Sequence, residues 1–190
     1  TLDDIPPGLA DRARAHGLRV SGHIPAFTRA RDAILAGYQE VHHVNQLLLN
    51  FLVKEGEDTR TLTRFTAVAE RAKDLDLDGP DFQAFVALMK QRDVAHDPTL
   101  AVFEDMFTQA PGELSRTFGM VADHLPSSVR RRLYTTEMEA DPATREAYRA
   151  SYRKALEVVG RLDRAGVTLV PGTDNVAGFT LHREYELWVQ

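Results

Sequence analysis

The sequence predicts an α/β fold in which parallel strands alternate with helices. Short stretches of β-branched and apolar residues recur between longer segments with helical spacing, and a glycine precedes three of these stretches. Such alternation is typical of a parallel sheet covered by helices. Three of the stretches also end near a histidine or an aspartate, at the strand ends where parallel α/β proteins place their chemistry. Four such units make half of an eight-stranded barrel or a small open sheet.

The composition is that of a globular chain. Its 190 residues are 43% apolar and 27% charged, enough for one domain with a sizeable core. With 23 Lys and Arg against 28 Asp and Glu, the net charge of −5 argues against nucleic acid or an anionic membrane as a partner. No apolar run approaches the ~20 residues of a membrane span. The absence of cysteine excludes thiolate metal sites and disulfides, and it leaves both cytoplasm and periplasm open.

The first half of the chain contains the first two predicted strands. We expect a short helix within residues 1–17, then a strand over 18–23 that Pro25 ends. A helix over 29–36 leads to the second strand, 40–44. Further helices are expected over 46–52, 63–75 and 81–92, with a polar loop at 54–61.

The second half contains the other two predicted strands and a helical insertion. The third strand is expected over 94–97, followed by a helix over 99–108. Prolines and glycine then punctuate a segment at about 109–141, which we interpret as an insertion of short helices. A long helix from 141 or 142 to 165 precedes the fourth strand, 167–170, whose β-branched and leucine residues indicate burial. A last helix covers 178–190.

Two histidines and one aspartate lie at the tips of three of these strands. His23 ends the first strand, His43 lies in the second, and Asp174 follows the fourth. Imidazole nitrogen and carboxylate oxygen are zinc ligands, and a catalytic site keeps a position open for water. The pattern therefore indicates a divalent-metal site at the strand ends.

Each of these residues has an ordinary structural alternative. His23 can be a strand-end histidine hydrogen-bonded to a neighbour, and Asp174 can cap the following helix. His42 competes with His43, because successive residues of a strand face opposite sides and only one can point into a barrel. Thr99, at the end of the third strand, and His182, on the last helix, are candidate substrate contacts, although a solvated helix surface is the commoner place for such a histidine.

Three longer motifs surround these residues in a fixed order. They are Val20-Ser-Gly-His-Ile-Pro25, Ala36-Gly37 with His43 six residues on, and Ala165-Gly-Val-Thr-Leu-Val-Pro-Gly-Thr-Asp174. In order and spacing they resemble the amidohydrolase superfamily, especially its prolidase-like and imidazolonepropionase-like branch. Pro98-Thr99-Leu100 and Gly178-Phe-Thr-Leu-His-Arg-Glu184 are similar to that branch as well. The resemblance covers nearly the whole chain, residues 1–190, apart from the insertion.

The resemblance implies the second half of a (β/α)8 barrel, strands five to eight in the family order. It implies a metal-dependent hydrolase that cleaves a C–N bond of a small-molecule or dipeptide-like substrate, an amide or cyclic amide included, with a metal-activated water. His23 matches the fifth-strand ligand, His43 the sixth-strand ligand, and Asp174 the eighth-strand ligand that also carries the proton. The spacing from Gly37 favours His43 over His42. The implied cofactor is a divalent metal, with zinc favoured.

The family's His-x-His motif and its fourth-strand lysine have no counterpart in these residues. We therefore expect an incomplete hydrolase, part of a longer polypeptide, that is inactive alone and oligomeric through its unpaired edge strands. Two other functions stay open. One is a metal-dependent phosphoesterase or lactonase, and the other is a non-catalytic half-barrel that serves as a binding or assembly module.

Overall fold

A three-stranded parallel sheet lies at the centre of the chain, which we describe from a computed structural model over residues 4–190, the Ala177 side chain excepted. The strands follow each other in chain order as β1 (Ser21–Gly22), β2 (Glu40–His42) and β3 (Ala95–Asp97). In the register, Ser21 lies opposite Glu40 and Val41 lies opposite His96. The expected α/β class with parallel strands is confirmed. Residues 1–3 of the first predicted helix lie outside the described residues.

The predicted fourth strand is present as a single bridge. Leu169 pairs with His96 in parallel, His96 N–H donates to the Thr168 carbonyl at 2.9 Å, and Val170 N–H donates to the His96 carbonyl at 2.9 Å. Pro171 has no N–H group and fixes its own φ, so the ladder ends there. The stretch 167–170 therefore lies beside β3 without extending as a strand.

The first strand is also shorter than expected, with two residues in place of the predicted 18–23. It has a partner on one side only in this sheet, and Pro25 follows closely. One more hydrogen bond, from Gln39 N–H to the Val20 carbonyl at 2.8 Å, continues the pairing backwards. The residues at its carboxyl end, beginning with His23, are thus free of the ladder and can turn toward β2.

Helices cover the sheet, and their ends differ from the expected ones by only a few residues. They are α1 (Leu9–Ala15), α2 (Ala30–Leu35), α3 (Val44–Leu52), α4 (Thr63–Arg71), α5 (Pro80–Gln91), α6 (Leu100–Thr108), α7 (Ser127–Arg132), α8 (Pro142–Arg164) and α9 (Ala177–Trp188). The predicted helix 63–75 changes after Arg71 into a 3₁₀ turn, Ala72–Asp74. Among the described residues, no helix combines the length and apolar character that a membrane crossing requires.

The longest helix, α8, organises the outer layer. It begins where Asp141 accepts hydrogen bonds from the Ala143 and Thr144 N–H groups, with proline at the first position. Its buried residues recur at helical spacing and pack against α4 and α6. They are Arg145, Tyr148, Ser151, Tyr152, Ala155, Val158, Val159 and Leu162. This stripe forms a core with the apolar faces of α3, α5 and α6, beneath the strand ends.

The segment 109–141 folds back on itself between α6 and α8. It contains a 3₁₀ turn, Ala122–His124, and the single short helix α7. The Gln109 side-chain amide donates to the carbonyls of Glu113 at 2.6 Å and Leu133 at 2.7 Å, which closes the segment near its base. The segment is thereby held over one end of α6.

The core contains a histidine whose protonation opposes folding. His96 is fully buried in β3, its Nδ1 bonds the Val41 carbonyl at 2.9 Å, and its Nε2 has no partner among the described residues. Burial lowers the pKa of His96 to about 4. The unfolded chain takes up this proton near pH 6.5, so stability is retained above pH 6.5 and falls as the pH drops toward 4.

We expect His96→Gln to reduce this acid sensitivity, because glutamine can still donate to the Val41 carbonyl but does not titrate. Between pH 7 and pH 5 the free energy of unfolding of the wild type should fall by about 2 kcal/mol more than that of the variant. Urea unfolding at the two pH values measures the difference. Equal acid sensitivity of the two proteins would contradict the assignment to His96.

Candidate functional site

The two histidines predicted at the strand tips face each other. His23 follows β1 and His43 follows β2, and their Nε2 atoms lie 2.7 Å apart. The rings meet edge to face with centroids 4.6 Å apart. At this distance one nitrogen carries a proton and donates a hydrogen bond, which the other nitrogen accepts. The parallel pairing of β1 and β2 accounts for the convergence, since it places both carboxyl ends at one edge.

Asp174 completes the group from the loop that follows the stretch 167–170 beside β3. Its Oδ2 lies 3.8 Å from His43 Nε2, and its side chain is 61% exposed. The structure thus brings His23, His43 and Asp174 together, with the histidines inside and the carboxylate at the mouth. Their roles as metal ligands stay predictions.

Burial keeps the histidine pair neutral. It is the largest effect that lowers the pKa of His43, to about 4, and the proximity of His23 lowers it further, against the opposing charge of Asp174. Burial also lowers the pKa of His23, again opposed by Asp174. Neutral imidazole is the form that binds metals, and burial favours this form in both rings.

Thr99 orients His43 through its other ring nitrogen. The threonine is 1% exposed at the start of α6, and its Oγ1 lies 2.7 Å from His43 Nδ1. With Nδ1 held there, Nε2 is directed at His23 and Asp174. A second contact to a ligating histidine fixes its ring and tautomer in metal sites generally. The predicted substrate contact of Thr99 stays untested, but its hydroxyl already has this partner.

Backbone strain is concentrated at the site. In residues 4–190, four non-glycine residues have positive φ, and three of them are His43 at 64°, Thr99 at 47° and Asp174 at 42°. Such conformations cost about 1–3 kcal/mol each and persist only where the surroundings enforce them. Here the Asp97 and Pro98 carbonyls accept hydrogen bonds from the N–H groups of His43 and Val44. Strain of this kind is characteristic of functional sites.

The side chains of His23, His43 and Asp174 are of the right chemical type to bind a divalent metal, but they do not form a complete ligand group. Two neutral imidazoles and one carboxylate are ligands that zinc accepts. Two nitrogens on one tetrahedral zinc lie about 3.3 Å apart, so the histidine pair has to open by about 0.6 Å to bind it. In the described part of the chain, no group of three or more His, Asp or Glu side chains is arranged to hold a metal ion. The described residues therefore form no complete coordination shell.

The other candidates lie apart from this group. The His42 side chain is directed to Glu40, and His42 Nε2 lies 3.4 Å from Glu40 Oε1. This direction is the one expected for the opposite face of the strand. His182 is exposed on α9, and its side chain makes no hydrogen bond or ion pair with the described residues. Its substrate contact stays a prediction.

Arg64 and Phe103 were not expected at the site. The Arg64 guanidinium stacks on Phe65 at 4.6 Å, its charge lowers the pKa of both His23 and His43, and its buried Nε has no partner among the described residues. The Phe103 ring meets His43 edge to face with centroids 6.3 Å apart. Neither residue follows a strand, so strand-end motifs gave no signal for them.

A cavity of about 450 Å³ adjoins the Asp174 loop. Asn175 and Val176, directly after Asp174, form one wall, and the segment 109–141 and α6 form the others. Its lining combines apolar side chains, Phe179 among them, with amide and charged groups. Its size suits a small organic molecule.

Comparison with known proteins finds a likeness of fold to part of one solved structure. No protein-family profile matches the chain, and no curated protein matches it. Among solved structures, the chain is similar to a bottromycin amidohydrolase, with a TM-score of 0.56 and 19% identity over 95% of this chain. The chain spans 38% of the length of that structure. At this identity the likeness shows the fold alone.

The Asp174 loop lies against β3 at a glycine, which gives a test of its placement. A Cβ at Gly172 would overlap the Asp97 carboxylate. We expect Gly172→Ala to displace the loop and to lower the free energy of unfolding by about 1–3 kcal/mol. Gly178→Ala in α9 is the control, because no neighbouring atom lies within 4 Å of its Cβ position. The control should be neutral or stabilising by up to about 1 kcal/mol in urea unfolding; equal losses would contradict the close approach.

Proposed function

We propose that this chain forms part of a metal-dependent amidohydrolase that cleaves a C–N bond in a small-molecule or dipeptide-like substrate. The observation that carries the proposal is the convergence of His23, His43 and Asp174 at the strand ends. Support also comes from the partial amidohydrolase-like fold and from burial that keeps both histidines neutral.

In this proposal His23, His43 and Asp174 would hold a divalent metal, with zinc favoured. Such an ion, when bound, would act as a Lewis acid and lower the pKa of water to near neutral. Asp174, exposed beside the pair, accepts the proton of the attacking water and passes it to the leaving nitrogen. Thr99 keeps the His43 ring turned toward the reacting atoms. The cavity beside Asp174 receives part of the substrate.

The remaining ligands come, in our proposal, from the other half of a (β/α)8 barrel. The described residues contain no complete ligand group, and the chain spans 38% of the similar structure's length. Three parallel strands and a bridge are the part of such a barrel that this chain would supply. The incomplete ligand group also favours a second candidate, a half-barrel that acts as a binding or assembly module; metal analysis of the complete polypeptide separates the two.

The roles of Asp174 and His43 can be separated in the complete polypeptide. We expect Asp174→Asn to retain metal and to lower kcat by about 10²–10⁴-fold, the usual contribution of a positioned general base. His43→Ala should lower metal content, because it removes a ligand outright. Bound metal and kcat measured for both variants check this.

The exposed His124 provides the matched control for the histidine substitution. His124→Ala should keep normal metal content and turnover. Near-normal turnover of metal-loaded Asp174→Asn would mean that Asp174 caps the following segment and carries no proton, which would overturn this mechanism.

The 190 residues alone should hydrolyse amides at no useful rate and should associate. Half a barrel leaves its first and last strands with unpaired backbone groups, and such edges pair with other chains. Light scattering and turnover measurements on the isolated chain check this. A monodisperse, active monomer would refute the half-barrel proposal.

A further inference from the structure

Glu184 is a fully buried carboxylate without a cationic partner among the described residues. It lies on α9, where its Oε1 accepts a hydrogen bond from the Trp188 indole at 3.0 Å. Its Oε2 accepts one from Ala101 N–H at 2.9 Å, and the Leu100 N–H is also directed to the carboxylate. A buried carboxylate costs free energy unless its acceptors are satisfied. Here Oε1 is satisfied by Trp188 of the same helix, and Oε2 is satisfied by the first turn of α6.

That first turn lacks its ordinary cap. Thr99 is the residue before α6, and threonine at this position usually accepts a hydrogen bond from an N–H group of the first turn. In this structure it makes no such bond, and its φ is 47°. Its hydroxyl is engaged instead with His43 Nδ1 at 2.7 Å. Glu184 therefore supplies from α9 the acceptor that Thr99 would otherwise provide.

We propose that Glu184 is a positioning residue, which caps α6 and so leaves the Thr99 hydroxyl free to hold His43. The contacts run in sequence from the Glu184 carboxylate to the Leu100 and Ala101 N–H groups, to Thr99, and to the His43 ring. Without Glu184, the N–H groups in the first turn of α6 would lack an acceptor and would compete for the Thr99 hydroxyl. His43 would then lose the hydrogen-bond partner of its Nδ1 atom. A role of Glu184 in catalysis rests on the proposed function. The capping of α6 and the orientation of His43 do not depend on it.

The rival explanation is that Glu184 only fastens α9 to α6. That task is already performed one turn away by Glu104 and Arg183, whose carboxylate and guanidinium form two hydrogen bonds of 2.7 Å. Glu104 is as buried as Glu184 and lies on the same interface, but it does not reach the first turn of α6. Glu104→Gln is therefore a matched control for any effect that arises from loosening the interface.

The experiment uses the complete polypeptide, labelled with ¹⁵N, and reads the His43 ring nitrogens and the exchange of the Leu100 and Ala101 amides by NMR. Thr99→Val supplies the reference signal of a His43 that lacks its hydroxyl partner. We expect Glu184→Ala to move the Nδ1 signal toward this reference and to lower protection of the two amides about tenfold. Glu104→Gln should leave both readouts at wild-type values.

If Glu184→Ala does not fold, as judged by near-UV circular dichroism, Glu184→Asp takes its place, because the shorter side chain withdraws the acceptor from the same N–H groups. Wild-type His43 signals in the folded variant would overturn the proposal, and so would an equal shift in Glu104→Gln. Metal and turnover are not among the readouts. A polypeptide without hydrolase activity would thus refute the proposed function and still test the role of Glu184.

Discussion

His43 and Thr99 are 56 residues apart in the chain, and their side chains share a buried hydrogen bond of 2.7 Å. The other contacts of the site depend on it. With Nδ1 occupied by the threonine, His43 can direct only Nε2 toward His23 and Asp174. The parallel register of β2 and β3 makes the bond possible, since it places His42 opposite Asp97 and lets both strands turn at the same level.

This geometry is maintained against local preference. His43 and Thr99 both have positive φ, which residues other than glycine adopt uncommonly. The compensation is tertiary. Backbone N–H groups around His43 are bonded to the turn after β3, Glu184 caps the helix after Thr99, and the Tyr152 hydroxyl of α8 donates to the Leu100 carbonyl at 3.2 Å. Three layers of the fold thus meet at one turn.

The site residues differ in how visible they are in the sequence. Short apolar stretches precede His23, His43 and Asp174. The apolar pattern and the neighbouring glycines and prolines were therefore enough to place these residues at strand tips. Arg64 and Glu184 lie on helices, where a charged residue is normally solvated, and nothing in their spacing distinguishes them from surface residues. Their proximity to the site arises from the packing of α4 and α9.

The sequence by itself determined the α/β class, the order of the strands, the positions of the helices to within a few residues, and which side chains end the strands. These features follow from local periodicity and from proline and glycine, whose effects act over a few residues. Only the tertiary structure decided the length of each strand, the reduction of 167–170 to one bridge, and the engagement of Thr99 with His43. Those outcomes depend on which backbone groups find partners across the fold, and such partners are separated by tens of residues.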